Sequence, residues 1–438
     1  MQPLEPAWIH RQETADSARA RLVEELRRRG GSALSRSVQD AFARVPRHVF
    51  VPEVGPAAAY RDEAFVIKCG PDGLPVSSSS QPAMMAIMLD QLGLEPGHRV
   101  LEIGTGTGYN AAVMAEVVGP GGQVVSIDID PDLIARASAG LAAAGYDQVT
   151  VLCADGGYGD PARAPFDRII VTAGAWDIAP AWLDQLEPGG LLVLPLSVRG
   201  IQLSVALRRS YRRDRDRHEP GAAADEWAAM SAWRCGFVPM LGAFAGPETV
   251  FRLPEPRPLT AQMADGHPVA GPALQAALAG EPSDEQVVPP LGSPAELADL
   301  DLWLTITAAE LSRIIILAAP GGWFPMAGLL PFGGLVGNAM EPELLGAAIL
   351  LPAEVAHGKR AQRAGPDMLI RGFGPGGADL AAYLAGLTGK WAEAGRPGTA
   401  ELQLTVRPAG APASGASRPG STLVLQRPSV SIEVAWVR

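Results

Sequence analysis

Residues 100–110, VLEIGTGTGYN, decide the fold predicted for this chain. They place Gly104, Gly106 and Gly108 directly after a short apolar run and directly before the helical pattern YNAAVMAEVV. Glycine allows a tight turn and lets the backbone approach a ligand closely. The spacing G-x-G-x-G differs from that of dinucleotide-binding turns, and the turn lacks the lysine of a P-loop. We therefore predict a strand, a ligand-binding turn and a helix; the alternative is a tight turn that binds nothing.

Short apolar runs rich in β-branched residues recur on the C-terminal side of this turn. They alternate with helical stretches such as PDLIARASAGLAAAG, and with the first run they read RVLEIG, QVVSIDI, QVTVLCAD, FDRIIVTAG and GGLLVLPL. Strand, helix and strand at this spacing are typical of a parallel sheet with right-handed crossovers. The pattern predicts an α/β fold with a Rossmann-like sheet.

Acidic residues stand where such a sheet would bind a nucleoside. Glu102 lies two positions before the first glycine, and Asp128 ends the next strand, where an acid can accept hydrogen bonds from ribose hydroxyls. Asp155 follows the third strand in CADGGYG, where it could receive an adenine amino group while Gly156 leaves space for the ring; the alternative is a turn cap. Because no phosphate-binding residue accompanies them, the set predicts S-adenosylmethionine as cofactor.

Length and composition bound the organisation of the chain. Its 438 residues exceed one ordinary domain, and 47% hydrophobic against 19% charged residues predicts a folded core. We place a first domain at 1–245, a Pro- and Ala-rich linker at 246–300 and a smaller α+β domain at 301–438. Strand candidates in the last range are LDLWLTITAAE, TAELQLTVRPAG and STLVLQRPSVSIEVAWVR, with a helix at ADLAAYLAGLTGKWAEAG.

The same counts argue against several classes of partner. A net charge of -11 disfavours nucleic acid. The three cysteines are scattered without metal-ligand spacing, so we predict no metal site and a reducing compartment. Residues 314–340 carry no charge but hold three prolines and six glycines, which excludes a membrane span. With no apolar signal segment at the N-terminus, a cytoplasmic location is expected.

A serine run raises a second functional question. Residues 75–82 read PVSSSSQP and lead directly into the apolar helical pattern AMMAIMLDQL. Four serines in a row often form a flexible spacer. A spacer is oddly placed between a helix and a glycine turn, so hydroxyls aimed at a substrate are the other possibility.

Residues 40–245 resemble the protein-L-isoaspartate O-methyltransferases. The resemblance rests on AFARVPRHVFVPE, SQPAMMAIML, VLEIGTGTGYNAAVMAEVVG, VVSIDID, ADGGYG, APFDRIIVTAGA, LDQLEPGGLLVLPL and FVPM, and it covers a little over half of the chain. It implies a class I methyltransferase fold, S-adenosylmethionine as cofactor and methylation of a carboxylate in a peptide substrate.

The resemblance also implies roles for particular residues. Ser78 and Ser80 take the places of the family's Thr/Ser-x-Ser pair, with Ser80 as the active-site serine that faces the carboxylate. Ser79, Lys68 and Val238 fall at substrate-contacting positions. Two structural alternatives remain open at this point: Ser80 as a helix N-cap and Val238 as a buried strand residue.

Two departures from the family pattern point to an unusual substrate. The loop before the serines, VIKCGPDGLPVSSSSQP, is longer than the family's and carries Lys68, and the chain continues for about 190 residues after FVPM. Both features look like homologues that methylate an aspartate in ribosomally made, constrained peptides, whose ester then closes to an aspartimide or isoaspartate. This tailoring role is our leading hypothesis, with residues 301–438 recognising the peptide. The alternatives are a repair-type enzyme acting on damaged proteins and a non-catalytic peptide-binding module.

Overall fold

A computed structural model describes residues 14–30, 34–210, 226–247, 249–253, 259–263, 271–319, 322–323, 333–337, 346–352, 368–411 and 422–436. The chain divides into two compact units, Met1–Ile170 and Val171–Arg438. None of the helices within these ranges is long and apolar enough to cross a membrane. Within the same ranges, no cluster of three or more His, Cys, Asp or Glu side chains is arranged to hold a metal ion.

The first unit alternates helices and short strands around a parallel sheet. Its elements are α1 (Ala15–Gly30), α2 (Arg36–Arg44), α3 (Arg47–Phe50), β1 (Phe65–Cys69), β2 (Pro75–Ser79), α4 (Pro82–Leu92), β3 (Arg99–Ile103), α5 (Tyr109–Val118), β4 (Gln123–Asp128), α6 (Pro131–Ala144), β5 (Thr150–Cys153) and β6 (Phe166–Val171).

The parallel strands of the first unit have the order β6-β3-β4-β5. Strand β4 pairs in parallel with β3 on one side and with β5 on the other. The chain runs outward from β3 to β5 and then returns to the other side of β3. This reversal creates a crevice at the carboxyl ends of β3 and its neighbours, where open α/β sheets bind ligands. The predicted α/β fold is therefore confirmed.

Local sequence signals explain where the site-bearing elements start and stop. Helix α6 begins after Asp130, whose carboxylate accepts hydrogen bonds from the backbone N–H groups of Asp132 (2.9 Å) and Leu133 (3.4 Å). Pro131 occupies the first helical position, where its missing N–H costs nothing. The helix ends at Gly145, whose φ of 80° suits a residue without a side chain.

The serine run forms part of a β-hairpin. Strands β1 and β2 pair antiparallel, with Val66 opposite Ser78 and Phe65 opposite Ser79. The loop between them is closed by a hydrogen bond from Gly70 N to Leu74 O (2.8 Å). The run is thus a paired strand and the residue that follows it, which excludes the flexible-spacer interpretation.

Among its described residues, the second unit contains four helices and two sets of antiparallel strands. Its elements are α7 (Pro180–Asp184), β7 (Leu186–Val198), β8 (Ile201–Ser210), β9 (Glu226–Cys235), β10 (Thr249–Leu253), β11 (Leu259–Met263), α8 (Gly271–Ala279), β12 (Asp284–Val287), α9 (Pro294–Thr307), β13 (Ser312–Ala319), β14 (Gly322–Trp323), β15 (Gly333–Gly337), β16 (Gly346–Pro352), β17 (Met368–Phe373), α10 (Gly377–Glu393), β18 (Leu402–Pro408), β19 (Thr422–Gln426) and β20 (Val430–Trp436).

Two strand orders describe these sheets. The first runs β7-β8-β9-β18-β20-β19, so the strands near the C-terminus follow β9 in the sheet. The second runs β10-β11-β13-β15-β16-β17-β12, with β14 beside β13. Helices α9 and α10 share a buried core with β16 and β17 that includes Leu300, Leu384 and Trp391. A strand-rich α+β region is thus present on the C-terminal side, as predicted.

The boundary between the observed units lies between residues 170 and 171, whereas the first domain was predicted to end at residue 245, and two predicted segments also differ from the structure. Residues 246–300 are not a bare linker, because β10, β11, α8, β12 and the start of α9 lie within them. Their elements are short, and their proline content hid the periodicity. The predicted strand LDLWLTITAAE is mostly helical and belongs to α9. Its start signal was overlooked: Ser293 caps the helix by accepting from Glu296 N (3.2 Å), and proline stands at the first helical position.

Of the apolar stretch 314–340, the structure describes residues 314–319, 322–323 and 333–337, and all of these lie in strands. In these strands, the backbone N–H and C=O groups form hydrogen bonds with neighbouring strands.

Candidate active site

The glycine turn joins β3 to α5 at the carboxyl edge of the first unit's sheet. Gly104, Gly106 and Gly108 have φ values of 102°, 53° and 84°, a backbone region that residues with side chains rarely adopt. A side chain at Gly108 would press against Ala137 of α6, so this glycine is required for packing. A Cβ at Gly106 would lie 3.6 Å from Ser78 O, so the turn and the serine strand are neighbours.

Asp128, at the end of β4, reaches the same turn. Its Oδ2 accepts a hydrogen bond from Gly106 N (2.9 Å), and its Oδ1 accepts one from Asp130 N (3.1 Å). The side chain is only partly buried, so lone pairs of the carboxylate remain accessible to a ligand. Burial nevertheless raises the pKa of Asp128, while the two backbone donors oppose the shift. The carboxylate is therefore held in one orientation beside the turn.

Asp155 and Gly156 begin the segment after β5. The Asp155 carboxylate accepts from Gly157 N (2.9 Å), so the turn-cap interpretation applies, whether or not the other oxygen receives a ligand. A side chain at Gly156 would collide with Ile103, so this glycine makes room for a strand residue. Whether the absence of a side chain at Gly156 also leaves space for an adenine ring stays a prediction.

Two exposed apolar side chains, which the sequence analysis did not single out, flank these acids. Ile129, directly after Asp128, is 40% exposed, and Tyr158 is 63% exposed. Ile129 lies one residue after Asp128, and Tyr158 lies three residues after Asp155, so both follow acids at the ligand edge of the sheet. The Ile129 and Tyr158 side chains offer an apolar surface for a flat ring, and the neighbouring Asp128 and Asp155 carboxylates can accept hydrogen bonds from its polar atoms.

Glu102 lies beneath the turn and is fully buried. It accepts a hydrogen bond from Asn110 Nδ2 (2.7 Å) and one from Ser126 Oγ (2.5 Å), and Ser126 Oγ lies 2.7 Å from Thr105 Oγ1. The Asn110 Oδ1 atom is buried and has no hydrogen-bond partner among the residues that the structure describes. Glu102 therefore ties β3 to β4 and α5 and fixes Asn110, whose amide oxygen is an unused acceptor at the start of α5.

Burial raises the pKa of Glu102 to about 7, although both donors oppose the shift. The folded protein then holds this proton more tightly than the unfolded chain, so stability falls as pH rises from about 4.5 to about 7. The shift corresponds to about 3 kcal/mol. Thermal unfolding of the ligand-free protein should show Tm falling across this range in the wild type and falling less in Glu102→Gln. Equal pH slopes for the two proteins would contradict this assignment.

The serines divide between two faces of their strand. Ser77 and Ser79 are 5% and 3% exposed, whereas Ser78 and Ser80 are partly exposed. Alternate residues of a strand point to the same side, so the predicted catalytic pair shares the open face. Neither Ser78 Oγ nor Ser80 Oγ makes a hydrogen bond to any residue within the described ranges. Helix α4 takes its N-cap from Gln81, so the N-cap interpretation of Ser80 is wrong.

Ser79 and Lys68 are engaged within the protein. The Ser79 hydroxyl faces the interior, where Arg47 Nη2 lies 3.5 Å away. Lys68 Nζ forms ion pairs with Asp130 Oδ2 (2.6 Å) and Asp132 Oδ2 (2.8 Å), which raise its pKa. Ser79 is buried as placed, and Lys68 fastens the hairpin to the start of α6. Any substrate role for Lys68 would compete with these two carboxylates.

Val238 belongs to the second unit. It is half-buried and follows β9 outside any regular strand, so the alternative of a buried strand residue does not hold. Its carbonyl oxygen accepts a hydrogen bond from Gly174 N (2.8 Å). The neighbouring Phe237 N donates to Gln202 Oε1 (2.6 Å), which fixes the segment's backbone.

Arg47 is a buried residue that the sequence analysis did not identify. It is 0% exposed, and its guanidinium donates to Ser80 O from Nη2 (2.9 Å). The available signal was a charged residue inside the otherwise apolar segment VPRHVFVP. Buried arginines are rare unless their donors are satisfied, so this position called for an internal role.

The site fits the predicted cofactor on grounds of geometry and charge. Positive-φ glycines allow close backbone approach, Asp128 presents a fixed carboxylate, and two exposed apolar side chains follow the acids. The buried acceptor Asn110 Oδ1 receives no hydrogen bond from the described residues. A cationic neighbour would favour the ionised form of the adjacent Glu102 carboxyl group. A cationic nucleoside such as S-adenosylmethionine supplies groups of these kinds.

Comparison with known proteins identifies relatives of this chain. The family model for protein-L-isoaspartate(D-aspartate) O-methyltransferase (PCMT) matches residues 17–219. Protein-L-isoaspartate O-methyltransferase of Methanopyrus kandleri is 41% identical over 235 residues, which are 53% of this chain and 96% of that protein. Protein-L-isoaspartate O-methyltransferase 2 of Archaeoglobus fulgidus is 47% identical over 181 residues, or 41% of this chain and 79% of that protein.

A solved structure titled protein-L-isoaspartate O-methyltransferase aligns with 88% of this chain and 96% of its own chain. The identity is 22% and the TM-score is 0.46.

Proposed function

Because the chain belongs to the protein-L-isoaspartate O-methyltransferase family, we propose that it methylates the free carboxyl group of isoaspartyl residues in peptides and proteins. It is a carboxyl O-methyltransferase, and its cofactor is S-adenosylmethionine. One observation carries the proposal: the Ser78 and Ser80 hydroxyls, which make no hydrogen bond to the described residues, lie on the open side of a segment whose Ser78 carbonyl borders Gly106 of the cofactor turn. The names of the relatives support isoaspartate methylation, the repair-type activity, over peptide tailoring.

The roles of the cofactor residues follow from their placement. Asp128 would accept hydrogen bonds from the ribose hydroxyls, and Asp155 would receive the adenine amino group. Asn110 Oδ1, held by Glu102, would face the cationic end of the cofactor. When bound, S-adenosylmethionine supplies a methyl group on a sulfonium sulfur, which is a strong electrophile.

The chemistry at the serines requires positioning more than proton transfer. A free carboxyl group with a pKa near 4 is already an anion at neutral pH, so no general base is needed. The Ser80 hydroxyl would donate a hydrogen bond to one carboxylate oxygen, and Ser78 would donate to the same carboxylate from the same strand face. Holding the reacting groups in line in this way contributes roughly 7–11 kcal/mol in favourable cases.

The methyl ester makes repair possible because it is a better electrophile than a carboxylate. The backbone nitrogen of the next residue forms a bond to the ester carbonyl carbon and gives up its proton. Methanol leaves, and a five-membered succinimide ring remains. Water then opens the ring to aspartyl or isoaspartyl peptide, and repeated cycles enrich the aspartyl form.

The proposal is tested by mass spectrometry of a linear isoaspartyl peptide incubated with the full-length chain and S-adenosylmethionine. We expect the mass of one methyl group to appear first, followed by loss of methanol and slow accumulation of the aspartyl peptide. The aspartyl isomer of the same peptide serves as the matched control. Absence of methylation on the isoaspartyl peptide would refute the proposal.

A second candidate is aspartate methylation in a constrained, ribosomally made peptide, with an aspartimide or isoaspartate as product. The segment before the serines favours it, because this segment is longer than the family's and forms the β1–β2 hairpin, which Lys68 fastens to the start of α6. In this version, residues 301–438 recognise the folded peptide. A cyclised peptide bearing an ordinary aspartate distinguishes the two: methylation and net loss of water on that substrate alone would favour tailoring over repair.

A further inference from the structure

Arg47 makes an unusual set of contacts for a buried cation. Its Nη1 donates to the backbone carbonyls of Ala59 and Arg61 (both 3.0 Å), and its Nη2 donates to Glu63 O (3.1 Å) and Ser80 O (2.9 Å). No carboxylate within the described residues lies at ion-pair distance from this guanidinium. A planar guanidinium can span several carbonyls at fixed angles, which an ammonium cannot do. Arg47 therefore joins the loop 59–63 to the backbone of the serine.

The same guanidinium contacts the cofactor side of the site. Its central carbon lies 5.0 Å from the ring centre of Phe65 on β1 and 5.7 Å from that of Tyr109, the first residue of α5. Cations are attracted to the faces of aromatic rings at such distances. One buried group thus touches the hairpin, the end of the serine strand and the helix that follows the glycine turn.

Asp62 completes the support from the other side. Its Oδ2 accepts from Gln81 Nε2 (3.0 Å), and its Oδ1 accepts from Ala83 N (2.8 Å). Arg47, which bonds to the loop 59–63, therefore holds Ser80, and Asp62 of that loop holds Gln81 and Ala83. Ser80 itself has a free hydroxyl on a restrained backbone.

We propose that Arg47 is a positioning residue that fixes the Ser80 hydroxyl relative to the cofactor turn. Arg47 acts through the Ser80 carbonyl and does not touch the substrate. Small misplacements of reacting groups can lower rates strongly, so the clamp contributes to turnover more than to substrate binding. This inference rests on the proposed carboxyl methylation at Ser80.

The test is a double-mutant cycle with Arg47→Lys and Ser80→Ala, assayed on the isoaspartyl peptide. We expect Arg47→Lys to lower kcat about tenfold, with little change in KM or in cofactor stoichiometry. In the Ser80→Ala background the same change should have little further effect, because the group that Arg47 positions is gone. Additive losses in the double mutant would overturn the inference.

Arg168→Lys is the matched control. Arg168 donates to Leu92 O (2.7 Å) and Gly93 O (3.3 Å), so it binds backbone carbonyls at the opposite end of α4. The effect of Arg168→Lys on kcat should be the same in the wild-type and the Ser80→Ala backgrounds.

If Arg47→Lys does not fold, Asp62→Asn takes its place, because the amide group of the new asparagine would oppose the Gln81 donor. It should then show the same coupling to Ser80→Ala.

Amide hydrogen exchange over residues 79–83 separates this inference from the proposed function, since it requires no substrate. Faster exchange in Arg47→Lys than in Arg168→Lys is expected even if the wild type methylates no isoaspartyl peptide. Unchanged exchange would refute the clamp. An active wild type with an additive double mutant would refute the inference alone and leave the proposed function intact.

Discussion

Replacing Asp128 with alanine is expected to weaken S-adenosylmethionine binding about 100-fold. The carboxylate is the fixed acceptor at the end of β4, and a charged acceptor contributes roughly 1.5–3 kcal/mol to each hydrogen bond that it makes. The substitution also removes the acceptor for Gly106 N, so the glycine turn loses one of its restraints. Isothermal titration calorimetry of the full-length protein measures the change directly.

Asp147→Ala provides the matched control for this measurement. Asp147 is an exposed acid just before β5, at the opposite end of the sheet from the turn. It removes the same formal charge without touching the site, so the dissociation constant should stay within about twofold of the wild type. If Asp128→Ala bound the cofactor as tightly as Asp147→Ala, the assignment of the ribose acceptor would be wrong.

Ser80→Ala is expected to lower kcat about 100-fold while leaving cofactor affinity unchanged. The reaction is a methyl transfer to a carboxylate oxygen, and losing the group that holds this carboxylate in line can cost about 100-fold in turnover. The backbone of residue 80 stays in place, because Arg47 binds its carbonyl and not its side chain. Initial rates on the isoaspartyl peptide, together with cofactor titrations, separate the loss of turnover from the loss of binding.

Ser79→Ala tests the division of the serine strand into two faces. Its hydroxyl is buried and has only a 3.5 Å contact with Arg47, so kcat should fall no more than about threefold. A Ser79→Ala loss as large as that of Ser80→Ala would show that both faces of the strand reach the substrate, contrary to the structure.

The sheet and the ligand turn could be predicted from the sequence because local signals there agree with the fold. The apolar runs, the three glycines and the acid after β4 all occupy the positions that a parallel α/β sheet gives them. If the serine run is taken as a strand, its alternation also places Ser78 and Ser80 on the opposite face from the buried Ser77 and Ser79.

Other features depended on contacts between distant parts of the chain. Arg47 is 33 positions from Ser80 in the sequence. Its donors bind backbone carbonyls, which every residue type carries, so the sequence does not reveal its partners. The role of Gly156 depends on Ile103 of a neighbouring strand. The helix α9 was predicted as a strand because its Thr, Ile and Trp content outweighed the capping signal at Ser293.

The central claim is that this chain recognises the isoaspartyl carboxylate and methylates it. The most direct measurement is the ratio of kcat/KM for a linear isoaspartyl peptide to that for its aspartyl isomer, with the full-length chain and S-adenosylmethionine. The two peptides have the same composition and charge, so only the connectivity at one residue differs. We predict strong preference for the isoaspartyl isomer. Equal rates, or methylation of the aspartyl isomer alone, would contradict the account.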